Sequence, residues 1–355
     1  MTLEDLRNQI DQLDNQLLEI LNKRMEVVKK VGELKRTQNA IIYRPEREKA
    51  IIDRLTRMNT GPLNKAAIEA IFLEIFAISR NIELPEKISY LGPEGSFTHQ
   101  AAESRFGAMS EYMSLNSIQA VFESVNTGRS RFGVVPLENN QEGVVSETID
   151  LLGAFDLKIA AEIPMPISFV LATYAESLKD IRRLYSKDIA FRQCKNFIED
   201  SFSRDKVELE AVNSTSQAVE KALADKRGAA ICSHIAAKMK ELPVLFHNIE
   251  DSVDNFTRFL IISKDFVNQR SGKDKTTVLA KTADKPGSLA VLLQDFYEQK
   301  INLTKIESRP AKEGKNFKYW FLIDFEGHFE DENVQKVMKK HGKGIKWLGS
   351  YVKLC

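Results

Sequence analysis

Leu3, Leu6, Ile10, Leu13, Leu17, Ile20, Val27, Val31 and Leu34 recur every three to four residues over nearly forty positions. At that spacing side chains return to one face of an α-helix. Glycine is almost absent from the stretch and proline is missing until Pro45, so nothing in it stops a helix. The pattern therefore predicts one extended helix of coiled-coil type, roughly 55 Å long at about 1.5 Å per residue. Such a helix cannot bury its stripe by itself, and a partner chain is expected. A second helix follows Pro45, within 46–58. "TGPLN" (60–64) reads as a turn, a third helix covers 65–83, and "LPEK" (84–87) marks a boundary.

Residues 88–264 change character. Short apolar strands alternate with helices: "ISYLGPEG" enters a glycine turn, "SFTHQAAESRF" continues as a helix, "RFGVVPLEN" is a strand and turn, and "STSQAVEKALADK" leads to strand "GAAICS". That alternation is α/β. The polar stretch 264–275, "KDFVNQRSGKDK", reads as a linker. Residues 276–355 then run strand, helix, strand, strand, helix, strand, the βαββαβ order of a ferredoxin-like unit.

Several function classes are excluded early. Fifty-one basic residues face fifty acidic ones, so no nucleic-acid surface is implied. The N-terminus "MTLEDLRNQIDQLDNQ" is acidic and amphipathic, unlike a signal peptide. No apolar run of about 18 residues suggests a membrane span. Cys194, Cys232 and Cys355 are far apart and odd in number, which fits reduced thiols in a cytosolic protein. No zinc spacing, GxGxxG or GxxxxGK[ST] motif is present. No metal and no organic cofactor are expected.

Within the helical segment, Arg24 shares a heptad position with Ile10, Leu17 and Val31. Read by itself it either snorkels to the seam edge and sets register, or it meets an anion. Lys35 lies eleven residues on, about 20° around the same helix. Arg7 flanks the seam, and Arg47 and Glu48 open the second helix. Several cations converging on a bundle interior need an anion, for which a small dicarboxylate would fit.

"LRNQIDQLDNQLLEILNKR", "VGELK" and "YRPERE" resemble the all-helical (AroQ-type) chorismate mutase family over residues 3–84. The resemblance implies a domain-swapped helical dimer that rearranges chorismate to prephenate. In it Arg7 comes from the partner chain, Arg24 binds a carboxylate, and Lys35 donates to the ether oxygen as the C–O bond breaks. Arg47 and Glu48 orient ring substituents, and Ser79 lies at the rim. Two positions depart from the family: Arg44 stands where many members have Asp, and Glu83 where others have Gln. A Glu beside an ether oxygen helps only when protonated, so mutase activity is expected to rise toward mildly acidic pH.

In the middle segment, "GPEGSFTHQAA", "GVVPLENNQEGVVSETIDLL", "FRQC", "NSTSQA" and "NFTRF" place hydroxyls, amides and glycines at strand ends and helix starts. Singly these are capping and turn residues. Jointly they suggest a cleft that binds a small anion, as in two-lobed, periplasmic-binding-protein-like domains. They resemble prephenate dehydratase over 88–264. The resemblance makes Thr257 an oriented hydrogen-bond donor to the departing hydroxyl, since its own pKa is too high for a conventional acid. It lines the cleft with Glu138, Asn139, Ser186, Gln193, Ser214, Thr215 and Ser216. Arg258 either pairs with a substrate carboxylate, the reading favoured here, or holds the strand. Asn140 stands where the family commonly has Ser, and Phe169 where a His is frequent. Cys194 reads as a buried structural thiol rather than a nucleophile.

"DKPGSLAVLLQDF" and "INLTKIESRP" resemble the phenylalanine-sensing ACT domain over 276–353. Pro286, Gly287, Ser288, Leu289 and Ala290 would form the ligand loop at a helix start. Glu307 would meet the ammonium group, with Ser308, Arg309 and Pro310 beside it or at a dimer interface. The order of the three segments resembles the bifunctional chorismate mutase/prephenate dehydratase (P-protein) family. It implies chorismate and prephenate as substrates, phenylpyruvate as product, phenylalanine as inhibitor, and a homodimer or homotetramer. Two other readings stay open: a helical segment that only dimerises, and a non-enzymatic anion sensor coupled to the ACT unit.

Overall fold

Helix α1 (Leu3–Thr37) starts at a reciprocal cap, in which Asp5 N–H donates to Thr2 Oγ1 (3.1 Å) and Thr2 N–H to Asp5 Oδ2 (2.7 Å). Two orphan amides of the first turn are thereby satisfied. Helix α2 (Pro45–Met58) carries Pro45 in its first turn, where a missing N–H is harmless. Helix α3 (Lys65–Glu83) begins at Asn64, whose side chain accepts from Ala67 N–H at 2.9 Å. The computed structural model describes residues 2–37, 44–84, 87–202, 207–252, 254–283, 285–311 and 318–354. Tyr43 of "YRPERE" and Pro85 and Glu86 of "LPEK" lie outside the described residues, as does Cys355.

The described chain forms two compact units, residues 1–86 with 105–111, and residues 87–104 with 112–355. In the first, α3 packs on both α1 and α2. Gly32 is what lets α1 approach: a Cβ there would lie 2.9 Å from Glu83 Cα. The expected long helix is present, and its apolar stripe remains exposed, with Leu3 at 65%, Leu13 at 62% and Val27 at 60%. The described residues leave this stripe uncovered.

The second unit holds three sheets. The strands are β1 (Lys87–Leu91), β2 (Glu111–Leu115), β3 (Phe132–Asn139), β4 (Gly143–Val144), β5 (Lys158–Pro166), β6 (Val170–Ala172), β7 (Arg183–Ser186), β8 (Glu208–Ala211), β9 (Gly228–Cys232), β10 (Val244–His247) and β11 (Phe256–Ser263). The first sheet runs β2-β1-β3-β11-β5 with β4 paired to β3, and the second runs β10-β6-β9-β7-β8. The chain passes from the first to the second after β5 and returns at β11, the construction of two lobes around a cleft. Helices α4 (Phe97–Phe106), α5 (Ile118–Asn126) and α6 (Ser146–Ala154) follow strands of the first lobe. Helices α7 (Asp188–Gln193), α8 (Lys195–Phe202), α9 (Thr215–Ala224) and α10 (His234–Met239) belong to the second.

The third sheet contains β12 (Asp274–Lys281), β13 (Leu303–Ala311), β14 (Lys318–Glu326) and β15 (Ile345–Val352) in the order β13-β14-β12-β15. With α11 (Ser288–Glu298) and α12 (Glu332–His341) it is the expected ferredoxin-like unit. The expected linker is corrected in two ways. Asp274 and Lys275 already belong to β12, and Asn268 is buried, donating to the Ala160 and Ser350 carbonyls at 2.8 Å each. No loose hinge separates the two parts because they share a core: Leu137, Leu260 and Ile262 pack with Leu279, Leu322, Leu348 and Tyr351.

Candidate active sites

In the helical unit, Arg24 and Lys35 sit about 16 Å apart along α1, at about 1.5 Å per residue. They nevertheless converge on one turn of α3. Arg24 Nη1 donates to Ser79 Oγ at 2.6 Å, and Lys35 Nζ to Glu83 Oε2 at 2.6 Å. Ser79 and Glu83 are four residues apart, so they share a helix face. Burial pushes the Arg24 guanidinium below its ordinary value, against the pull of Glu83. Four of the expected residues are thus brought together at Gly32.

The others stand differently. Arg7 is exposed and lies about 25 Å along α1 from Arg24 at 1.5 Å per residue, beyond the reach of that site within the same chain. Arg47 is exposed, with no ion pair to a described residue. The Glu48 carboxylate is bound by Arg80, a buried residue that the sequence analysis missed. Arg80 also donates to the Arg105 carbonyl (2.9 Å). Burial pushes the Glu48 carboxyl up, opposed by Arg80 and Arg105. Arg44 pairs with Glu46. Charge spacing could have flagged Arg80, which lies one residue beyond Ser79.

In the second unit a cleft of about 450 Å³ opens between the two lobes. Its lining includes Gly92 and Pro93 after β1, Asn139 at the end of β3, Lys187 after β7, and Asn213 and Ser214 after β8. β1 is parallel to β3, and β7 to β8 and β9. Ligands of open α/β sheets bind outside such carboxyl ends, where helix N-termini converge. Ser214 caps α9, accepting from Gln217 N–H at 3.0 Å. Glu138, Asn139, Gln193, Ser214, Thr215 and Thr257 all line this cleft.

Thr257 and Asn139 are cross-strand partners on β11 and β3. Asn139 Nδ2 donates to Thr257 Oγ1 at 2.9 Å and to Asn255 Oδ1 at 2.8 Å. Its Oδ1 accepts from the Gln141 and Glu142 amides at 2.8 and 2.9 Å. The amide is therefore fixed as a donor toward Thr257. A hydroxyl that already accepts is left with its O–H to give, and here it borders the cleft.

Three expected cleft residues are corrected. Ser186 is fully buried and donates to the Ile231 carbonyl at 2.6 Å, so its hydroxyl is spent inside the second sheet. Ser216 donates to the Glu94 carbonyl, fastening one lobe to the other. Arg258 points away from the cleft, since successive strand residues face opposite ways. Its guanidinium lies 2.6 Å from Asp324 Oδ2, 2.9 Å from Glu162 Oε2 and 3.0 Å from Glu138 Oε1, and it donates to Tyr351 Oη at 2.9 Å. Burial works against its charge, but Tyr351, Asp324 and Glu162 outweigh that and hold it protonated. Lys275 balances Glu162 at 2.9 Å, and Lys305 reaches Glu138 Oε2 at 2.5 Å. A buried Arg needs compensating anions, and the protein supplies them.

Of the departures, Asn140 accepts from Phe256 N–H (2.9 Å) and donates to the Asp254 carbonyl, pinning the strand start. Phe169 packs edge-on against Phe97 at 5.2 Å in the cleft wall. Lys187 was missed; it is exposed and lines the cleft without an ion pair to a described residue. Cys194 is buried and its thiol is pushed up by burial, while the Cys232 thiol is pushed up to about 12.

In the C-terminal sheet, Gly287 sits at the start of α11 with φ +82°, a conformation that favours glycine. Pro286, Gly287 and Ala290 are exposed, and Ser288 and Leu289 half-buried. On β13, Lys305, Glu307 and Arg309 are half-buried, while Ser308 and Pro310 face solvent. Arg309 is not free for a ligand, since it bonds Asp150 of α6 at 3.3 Å.

A family model for chorismate mutase type II matches residues 6–84, one for prephenate dehydratase residues 88–266, and one for the ACT domain residues 276–343. The bifunctional chorismate mutase/prephenate dehydratase of Aquifex aeolicus is 41% identical over 358 residues, covering 99% of this chain and 98% of the relative. Its counterpart in Pseudomonas aeruginosa is 36% identical over 361 residues, covering 99% and 98%. The solved prephenate dehydratase of Arthrobacter aurescens, in complex with L-Phe, is similar with a TM-score of 0.68 at 31% identity, over 75% of this chain and 90% of that one. With likeness running the full length of both chains, this protein belongs to the bifunctional chorismate mutase/prephenate dehydratase family.

Proposed function

We propose that the helical unit rearranges chorismate to prephenate and that the two-lobed cleft converts prephenate to phenylpyruvate. The observation that carries the second step is the Asn139–Thr257 hydrogen bond at the cleft floor. In the first step the ether C–O bond breaks as a C–C bond forms, with no net proton transfer. Arg24 holds a carboxylate and Lys35 stabilises the ether oxygen, so confinement and charge supply the rate. Arg7 of a second chain completes this site, and burial of the α1 stripe drives the pairing.

In the second step the ring carboxylate leaves as CO₂ and its electron pair aromatises the ring. The ring hydroxyl departs and takes up a proton to become water. Thr257 donates a hydrogen bond to that hydroxyl, and the proton comes from solvent. With Arg258 engaged elsewhere, Lys187 and the start of α9 bind the substrate carboxylates. Phenylalanine binds the ACT unit at the Gly287 turn and inhibits the dehydratase; that a solved relative is in complex with L-Phe supports the binding of this amino acid.

Purified protein is incubated with chorismate, and phenylpyruvate is followed with and without phenylalanine. Phenylpyruvate should form, more slowly with the amino acid. Accumulation of prephenate alone overturns the dehydratase reading; unconsumed chorismate overturns the mutase reading and leaves the helical unit as a dimerisation arm.

A further inference from the structure

Arg258 and Glu138 are cross-strand neighbours on β11 and β3, and Asp324 and Lys305 are cross-strand neighbours on β14 and β13. The two pairs face each other with their charges crossed. Arg258 meets Asp324 at 2.6 Å, Lys305 meets Glu138 at 2.5 Å, and Arg258 also meets Glu138 at 3.0 Å. Glu138 itself lines the cleft, whereas Arg258, Asp324 and Lys305 do not. Glu138 precedes Asn139 in the chain and Arg258 follows Thr257. The β3–β11 ladder shifts register between Arg258 and Phe259, so side-chain contacts add to backbone pairing in fixing the strands there.

We propose that Lys305, a residue of the ferredoxin-like sheet, is a positioning residue for the dehydratase step. It holds Glu138 against Arg258, and so keeps Asn139 and Thr257 aimed into the cleft. This inference rests on the dehydratase reading above. Without Lys305, Glu138 depends on Arg258 alone, and Arg258 is already shared with Asp324 and Glu162. The contact also extends the range over which Glu138 stays ionised toward lower pH. Burial alone would push the Glu138 carboxyl up, but Lys305 and then Arg258 reverse this and hold it below the usual range. Glu162, Asp324, Lys275 and Tyr351 are the other titratable groups facing the cluster.

The test compares full-length wild type, Lys305→Met and Lys305→Arg, each assayed with prephenate and with chorismate. The Met variant should lose about ten-fold or more in dehydratase kcat, with KM within about three-fold of wild type and mutase activity unchanged. The acid limb of its dehydratase profile should move to higher pH, because Glu138 has lost a cation that keeps it ionised. The Arg variant should restore both. A folded Met variant with wild-type kcat and acid limb overturns the proposal. So does an Arg variant as impaired as the Met variant at unchanged melting temperature. If the Met variant does not fold, Lys305→Gln takes its place against Lys305→Arg under the same criteria. Wild type that fails to turn over prephenate sinks the dehydratase reading itself, before any variant is compared.

Discussion

The helical unit and the two-lobed cleft solve the same problem, holding a small dianion, in opposite ways. In the helical unit the groups lie along one rod. Arg24, Lys35, Ser79 and Glu83 meet where α1 crosses α3, while Arg7 stays about 25 Å away along the same helix. Arg7 is thus absent from that group within the chain, and the apolar stripe on the same helix is exposed. The cleft, by contrast, gathers Pro93, Asn139, Lys187, Ser214 and Thr257 from distant segments of a single chain. A helix spreads its residues in one dimension, so groups far apart along it do not meet within one chain. Sheets return strand ends to one place, so one chain suffices.

The comparison can be broken at several points. Asp324→Ala removes one of three carboxylates around the buried Arg258 guanidinium, and breaking a buried pair costs up to about 3–5 kcal/mol. Thermal melts should show a large loss confined to the second unit, with mutase activity spared at low temperature. Thr257→Ala removes the hydroxyl proposed to donate to the leaving group. The loss of an oriented donor is worth about 10²–10³ in kcat, so phenylpyruvate formation should nearly stop while prephenate accumulates. Arg24→Ala should do the reverse by about 10²-fold on kcat/KM, with turnover of added prephenate intact. Equal damage to both steps by either variant would mean the two sites are not independent.

Mixing sharpens the contrast further. Arg7→Ala and Arg24→Ala chains, each inactive as mutases, should recover about one quarter of wild-type activity when exchanged. Half of the dimers are then mixed, and one of their two sites is intact. No recovery would place Arg7 outside the mutase site. No such complementation is expected between two inactive dehydratase variants of the cleft. The smallest effect concerns Glu83. Glu83→Gln removes the carboxylate to which Lys35 donates at 2.6 Å and should change mutase kcat/KM by no more than about ten-fold; a loss as large as that of Arg24→Ala would place Glu83 among the main substrate-holding groups.

Legibility in the sequence followed the physics of each element. Arg24, on the heptad seam, and Lys35, eleven residues on, could be placed on nearly one face because helical periodicity maps sequence onto a face, and both side chains reach α3. The ferredoxin-like order was readable from strand and helix patterns alone. Ser186 and Ser216 sit in the same kind of polar cluster as Ser214, yet only Ser214 reaches the cleft, since the first two hydroxyls are taken by backbone carbonyls. Nothing in "FRQC" or "NSTSQA" encodes which hydroxyl a distant carbonyl will claim. The polar run 264–275 read as a linker because composition does not show that Asn268 finds two buried carbonyls.

By itself the sequence determined the elements, their order and the residue types available to each site, because periodicity and turn chemistry are local. Only the tertiary structure decided which way the Thr257–Arg258 pair is split. Pleating turns Thr257 to the cleft and Arg258 to the neighbouring sheet. There Asp324, sixty-six residues on, is brought within 2.6 Å of the guanidinium and supplies the anion that its burial requires.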